Sequence, residues 1–230
     1  PRPHTSGRMV MAVVIENDFK DAAIQVERCE DPMTQMDDDT VLRKIREAGL
    51  VGMGGAAFPG NVKALSAMGH IEYLIANACE CEPYITADDS LLRTTPEDVL
   101  KGMELLGHVL KPSRIVLAVE DNKQEAIQRI RQLQKDYPSI ELAVLPTRYP
   151  QGSEKQLIQA LTGREVPPGQ LPVSVDCAVF NVSTFAAIYR AVRLGKPLTE
   201  RIVTISGEAI AQPQNFIVRI GTPFHDLIEK

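Results

Sequence analysis

The chain has 230 residues, 44% of them hydrophobic and 24% charged, with a formal net charge of −5. That length buries a proper core, in one large domain or one domain plus pieces, and the mixture is an ordinary globular one. Three classes are excluded: no lysine–arginine cluster marks a nucleic-acid surface, no apolar run approaches the ~20 residues of a membrane span, and four cysteines (Cys29, Cys79, Cys81, Cys177) make no disulfide framework.

The cysteine usage suits a reducing, cytoplasmic setting. The start, Pro1-Arg2-Pro3-His4, is neither an initiator methionine nor a signal peptide, and is read as the interior of a longer protein. Met9 to Ile15 is short and rich in β-branched residues, which predicts a strand, and residues 16 to 37 read as a polar linker. A helix follows, capped by Asp38 or Asp39, with Val41, Leu42, Ile45 and Ala48 on one face and Gly49 as its stop.

Beyond a glycine-rich segment the pattern becomes regular. Residues 72–77, 114–119, 140–145 and 176–180 are expected strands. Between them come a helix started by Thr95-Pro96-Glu97-Asp98, one opened by a capping box over Asn122 to Glu125 and ending before Pro138, and one from Ser153 to Leu161. Phe185 to Val192 is another helix. Apolar strands alternating with amphipathic helices predict an α/β fold: a mostly parallel sheet with flanking helices. From Thr199 the character changes, with strands at 201–207 and 216–218 and a short helix over 223–228.

Four segments could carry chemistry. Gly52-Met53-Gly54-Gly55-Ala56-Ala57-Phe58-Pro59-Gly60-Asn61-Val62-Lys63 offers backbone amides to a phosphate, a helix start near Gly60, and the charge of Lys63. It is not a dinucleotide fingerprint, because a helix and not a strand precedes it, and not a Walker loop, because Asn61 and Val62 follow Gly60. Asn77-Ala78-Cys79-Glu80-Cys81-Glu82-Pro83-Tyr84 follows a strand, where open α/β sheets place ligands. Asn77, Glu80 and Glu82 supply acceptors there; a metal reading on Cys79 and Cys81 and a plain polar turn stand beside the ligand reading. Tyr149-Pro150-Gln151-Gly152-Ser153-Glu154-Lys155 and Phe180-Asn181-Val182-Ser183-Thr184 are turns into helices, each also explicable as plain capping. Cys177, in an apolar strand, reads as core, and His4, His70, His108 and His225 lie outside the four segments, so a histidine base is not expected.

On these residues the sequence resembles the RnfC family, peripheral subunits of Rnf electron-transport complexes, and more distantly the flavin-bearing NADH-oxidising subunit of respiratory complex I. The matching pieces are Gly52 to Pro59, Asn77 with Glu80 to Thr86, Tyr149 to Leu157 and Leu161 to Val166-Pro167, in family order over nearly the whole chain. The resemblance implies a non-covalent FMN with NAD(H) as substrate. Gly52, Gly54, Gly55 and Lys63 would hold the phosphate, with Asn77, Glu80, Tyr149, Gly152 and Asn181 around the rest and Phe58, Glu82 and Glu154 lining the flavin and nicotinamide pocket. It also implies domains: the end of a sandwich domain over 1–20, a linker over 21–37, the FMN/NADH-binding domain over 38–198, and the start of a β-grasp-like SLBB domain over 199–230. The family's 4Fe–4S cysteine motifs would lie beyond Lys230.

The implied activity is electron transfer between NAD(H) and iron–sulfur carriers or ferredoxin through the flavin, an NADH/ferredoxin-type oxidoreductase. The implied partners are membrane subunits of an electron-transport complex and no nucleic acid, which would attach the protein peripherally to the inner face of the cell membrane. The rivals are a soluble electron-transfer relative or cobalamin reductase, and a docking module with a decayed flavin site.

Overall fold

The computed structural model describes residues 1–230 apart from 5, 15, 17, 19, 21, 23–27, 32–34 and 230. Most of the linker expected over 21–37 therefore lies outside the described residues, as does the last residue of the strand expected to end at Ile15. What is described of that strand is shorter than expected. β1 (Arg2–Pro3) pairs antiparallel with β2 (Met9–Val10), and Met11, Val13 and Val14 stand exposed.

α1 (Asp38–Glu47) is capped by Asp37 and not by Asp38 or Asp39: its carboxylate accepts the Thr40 amide hydrogen at 2.8 Å. Asp38 and Asp39 fall in the first turn, where their charge suits the helix dipole. Gly49, with φ +65°, follows the C-cap as expected. Then come α2 (Gly60–Ala67), β3 (Tyr73–Ala78), α3 (Ala87–Thr94) and α4 (Pro96–Leu110), with Pro96 at its first position. α3 was not expected. β4 (Arg114–Glu120) leads to α5 (Gln124–Leu133), where the expected capping box does not form: Gln124 Nε2 donates to the Asp121 carbonyl instead. β5 (Ile140–Leu145), α6 (Glu154–Thr162), β6 (Cys177–Asn181) and α7 (Val182–Leu194) complete the α/β unit. β7 (Glu200–Ile205) and β8 (Gln214–Arg219) form an antiparallel hairpin, and α8 (Phe224–Ile228) follows it.

The central sheet has the order β5-β4-β3-β6, parallel throughout. Period-two alternation splits its side chains between two cores. Leu74, Ala76, Ala78, Leu117, Val119, Ala178 and Phe180 join the larger core with α1, α3, α4, α5 and α7. Ile75, Cys79, Ala118, Cys177 and Val179 meet Leu157 and Ile158 of α6 on the opposite face. Because β6 returns to the far side of β3, the carboxyl ends of β3 and β6 lie side by side, with Asn77 opposite Asn181. Such a reversal of strand order opens a crevice at the carboxyl edge of an α/β sheet.

The larger core depends on one close crossing. A β-carbon at Gly102 of α4 would lie 2.0 Å from the Phe185 carbonyl oxygen of α7, so the two backbones touch there. Val99, Leu100, Met103 and Leu106 on one helix and Phe185, Ala186 and Val192 on the other are all buried. Gly102→Ala must push the helices apart. The expected cost is about 1–3 kcal/mol, the usual range for overpacking, read as a fall in Tm of roughly 2–10 °C. Thermal unfolding followed by circular dichroism checks it; an unchanged Tm would show that α7 can slide without loss.

Candidate functional site

Three chain segments and one helix start meet at the carboxyl edge of β3 and β6. The glycine-rich loop is tied at both ends: the Gly52 amide donates to the Phe58 carbonyl (2.8 Å), the Met53 amide to Thr184 Oγ1 (3.0 Å), and the Gly60 amide to the Leu50 carbonyl (2.9 Å). Between the ties, Gly54 to Pro59 is exposed, and Gly55 has φ +111°, which favours glycine. Gly54 faces Asn181: a β-carbon built on it would sit 3.4 Å from Asn181 Cβ.

Lys63, in the first turns of α2, reaches across to the start of α6. Its ammonium lies 2.7 Å from Glu154 Oε1 and 5.2 Å from the centre of the Phe180 ring, with both ionic side chains about one third exposed. Ser153 is the N-cap of α6 by position but makes no side-chain capping bond, so the amino end of that helix is not closed by its own hydroxyl.

The other predicted residues hold one another. Asn77 Oδ1 accepts from the Cys79 amide at 3.0 Å, and its Nδ2 donates to the Gly152 carbonyl at 2.8 Å. This ties the loop after β3 to the loop before α6. The two come so close that a β-carbon at Gly152 would lie 1.9 Å from the Cys79 carbonyl oxygen, so only glycine fits. Asn181 caps α7, accepting from the Ser183 amide at 2.8 Å, and donates to Asp88 Oδ2 at 2.6 Å. Glu80 accepts from the Asp88 and Asp89 amides at 2.9 and 3.3 Å, and so caps α3; Lys123 lies 3.9 Å from it. Phe58, Glu82 and Tyr149 are exposed.

Asp88 was missed from the sequence, together with the helix that carries it. Its carboxylate receives both Asn181 and the Ser183 hydroxyl (2.8 Å). Burial, and then the Glu80 carboxylate, push it up to about 6. Thr86-Ala87-Asp88-Asp89, a threonine followed by acids, was the available signal for a helix start. Burial, then Glu120, also pushes the Cys79 thiol up to about 12, which keeps it protonated, and burial raises Cys177 to about 11. Among the described residues no group of three or more His, Cys, Asp or Glu side chains could hold a metal ion.

Residues 45–190 match the family described as the Nuo51 FMN-binding domain. The chain belongs to that family. It is 41% identical over 227 residues to the C subunit of the ion-translocating oxidoreductase complex of Pasteurella multocida, covering 99% of this chain and 27% of that protein. The same subunit of Pectobacterium carotovorum is 43% identical, with 99% and 30% covered, and that of Vibrio cholerae 40% identical, with 99% and 29% covered. The chain thus spans under a third of the length of these three relatives. Among solved structures, a chain of the NAD+-reducing NiFe-hydrogenase in its H2-reduced state superposes with a TM-score of 0.74 at 26% identity, over 84% of this chain and 38% of that one. The expected family and α/β class are borne out.

The residues present fit the flavin this FMN-binding domain family takes. A loop with side chains removed at Gly52, Gly54 and Gly55 and exposed from Gly54 on, a following helix start and a lysine one third exposed suit a phosphate, and exposed Phe58 and Tyr149 suit a flat ring.

Asp88 makes the domain's stability depend on pH. The folded chain holds this proton above the ordinary value of 3.8, so the stability it contributes is present below about pH 4 and is lost as pH rises through 6. Asp88→Asn never ionises and keeps both contacts, its carbonyl accepting from Asn181 and its amide donating to Ser183. The Tm of the variant minus that of the wild type should therefore rise between pH 4 and pH 7. A difference constant with pH would show that Asp88 is not the titrating group.

Proposed function

We propose that this chain forms the FMN site of an oxidoreductase that passes electrons between NAD(H) and iron–sulfur carriers or ferredoxin. The observation that carries the reading is the convergence of the glycine loop, the Lys63–Glu154 pair and the Asn77–Asn181 edge at one crevice of the sheet. When bound, the flavin would supply exchange between paired electrons of a nicotinamide and single electrons of other carriers. The chain's own part is to bind and orient.

In this reading the backbone at Gly52, Gly54 and Gly55 and the Lys63 ammonium hold the phosphate, Lys63 turning from Glu154 to do so. Asn77, Glu80, Gly152 and Asn181 keep the wall rigid and offer their remaining hydrogen-bond capacity to the cofactor. Phe58, Glu82, Tyr149 and Glu154 form the exposed rim at which a nicotinamide would enter. No residue needs to act as acid or base, since hydride transfer needs orientation and exclusion of water.

The names of the relatives support a wider assignment. As one subunit of an ion-translocating complex, the protein would work with membrane subunits and sit peripherally on the inner face of the membrane. No described helix is long and apolar enough to cross one. Iron–sulfur carriers would be held outside these 230 residues. The division into 1–20, 21–37, 38–198 and 199–230 belongs to the same proposal, supported by the separate two-stranded sheet of β7 and β8.

A titration of the purified chain with FMN, followed by flavin fluorescence, tests the site. Saturable binding is expected, weakened about tenfold or more by Lys63→Ala, since a charged hydrogen bond is worth about 1.5–3 kcal/mol. Anaerobic NADH should then bleach the bound flavin. A folded chain that takes up no FMN would refute the site assignment and favour a docking module.

A further inference from the structure

The family match ends at residue 190, yet β7 and β8, beyond it, grip two loops of the site. Thr204 and Asn215 are register partners across the hairpin. Thr204 Oγ1 donates to Asn215 Oδ1 at 2.6 Å and accepts from the Thr86 amide at 3.1 Å. Asn215 Nδ2 donates to the Thr86 carbonyl at 3.1 Å and lies 3.0 Å from its hydroxyl. Thr86 therefore has its amide, carbonyl and hydroxyl all held by the hairpin. It is the residue before α3, the helix that carries Asp88 and is capped by Glu80.

The second grip is on the glycine loop. A guanidinium nitrogen of Arg201 donates to the Met53 carbonyl at 3.2 Å, while the Met53 amide donates to Thr184 at 3.0 Å. Met53 is thus fixed from the α7 side by its amide and from the hairpin by its carbonyl, one residue before Gly54. Between the two grips a cavity of about 590 Å³, lined by Leu91, Ala186, Ile202 and Phe216 among others, lies between the hairpin and α3 and α7, while Ile202 packs against the larger core. At the cavity's two edges the polar contacts on Thr86 and Met53 join the hairpin directly to the main chain of the two loops.

We propose that Arg201 and Asn215 are positioning residues for FMN: the hairpin clasps the phosphate loop and the loop after β3, and fixes their separation. The inference rests on the flavin-site reading above. Neither residue need touch the cofactor. A loop held on one side only samples more conformations, and binding must then order it at a cost in affinity.

The experiment is the same FMN titration on Arg201→Met, Arg201→Lys and Asn215→Ala, with the absorption spectrum of bound flavin and the Tm of each flavin-free chain measured alongside. Arg201 is exposed, so its replacement leaves the fold standing even where Asn215→Ala does not. Arg201→Met should weaken FMN binding roughly fivefold or more, the change expected from one lost hydrogen bond, with the flavin-free Tm lowered by no more than roughly 2–4 °C. Arg201→Lys, which keeps a donor for the Met53 carbonyl, should restore most of that affinity, and Asn215→Ala should shift the bound-flavin spectrum. If the wild type binds FMN and Arg201→Met binds it equally well, or Arg201→Lys restores nothing, the clasp is refuted while the site stands. If the wild type binds no FMN, the site reading falls and takes the clasp with it.

Discussion

The pairing of β3 with β6 is the constraint from which the rest of the site follows. Their parallel register sets Asn77 opposite Asn181 at the last rung, on the face shared with Ile75, Cys177 and Val179. A slip of one residue would turn Leu74, Ala76 and Ala78 out of the larger core, so the apolar pattern itself enforces where the two amides stand. Each amide then organises what comes next in the chain. Asn77 bends the loop after β3 and pins Gly152 beside it; Asn181 opens α7 and fastens α3 through Asp88. The crevice is therefore walled by hydrogen bonds that the sheet register makes possible.

The electrostatics of this edge divide in two. Glu80, Asp88 and Glu120 are the acids of the inner wall; burial first, and then the Glu80 carboxylate among its neighbours, raises both Asp88 and Glu120. Such a wall would repel a phosphate. The glycine loop, the start of α2 and Lys63 gather on the other side, where backbone dipoles and one ammonium supply the attraction. Lys63 is held by Glu154 at an ion pair one third exposed, so water screens it and the exchange of one anion for another is easy. A cofactor with a phosphate tail and a neutral ring has one end for each side.

Much of this was legible from the residues, for reasons that also mark the limits. β4 and β6 are apolar runs, and the burial that makes a parallel strand makes it visible in composition. Gly49, Pro96 and Gly60 punctuate helices through local backbone preferences, which also read locally. The errors share a different cause. α3 is only weakly marked in the sequence, because Thr86 at its start makes no side-chain cap and the capping carboxylate is that of Glu80, several residues upstream and across a turn. The residues from Asn122 to Glu125 have the composition of a capping box, yet the Asp121 carbonyl takes Gln124. Asn77, Glu80 and Asn181 are legible as polar groups at strand ends. Their protein partners, Gly152 and Asp88 among them, lie up to 93 residues away, and nothing local reveals how much of their bonding those partners take.

That last point changes how the site would work. With the asparagines and Glu80 committed to the framework, little side-chain polarity is left over for a cofactor, and in the proposed site the main recognition surface would be backbone: the exposed glycine loop and the helix starts around it. Backbone recognition is precise only if the backbone is fixed, because a loop of small residues has more conformations to lose than any other. The ties at Gly52, Met53 and Gly60, the close approach of Gly152 to Cys79, and the hold of the hairpin on Met53 and Thr86 all act on main-chain atoms. A domain that binds through its main chain must be rigid from outside the loops. The sheet edge supplies that from one side and the hairpin from the other, which is why residues beyond the matched domain belong to the physics of its site.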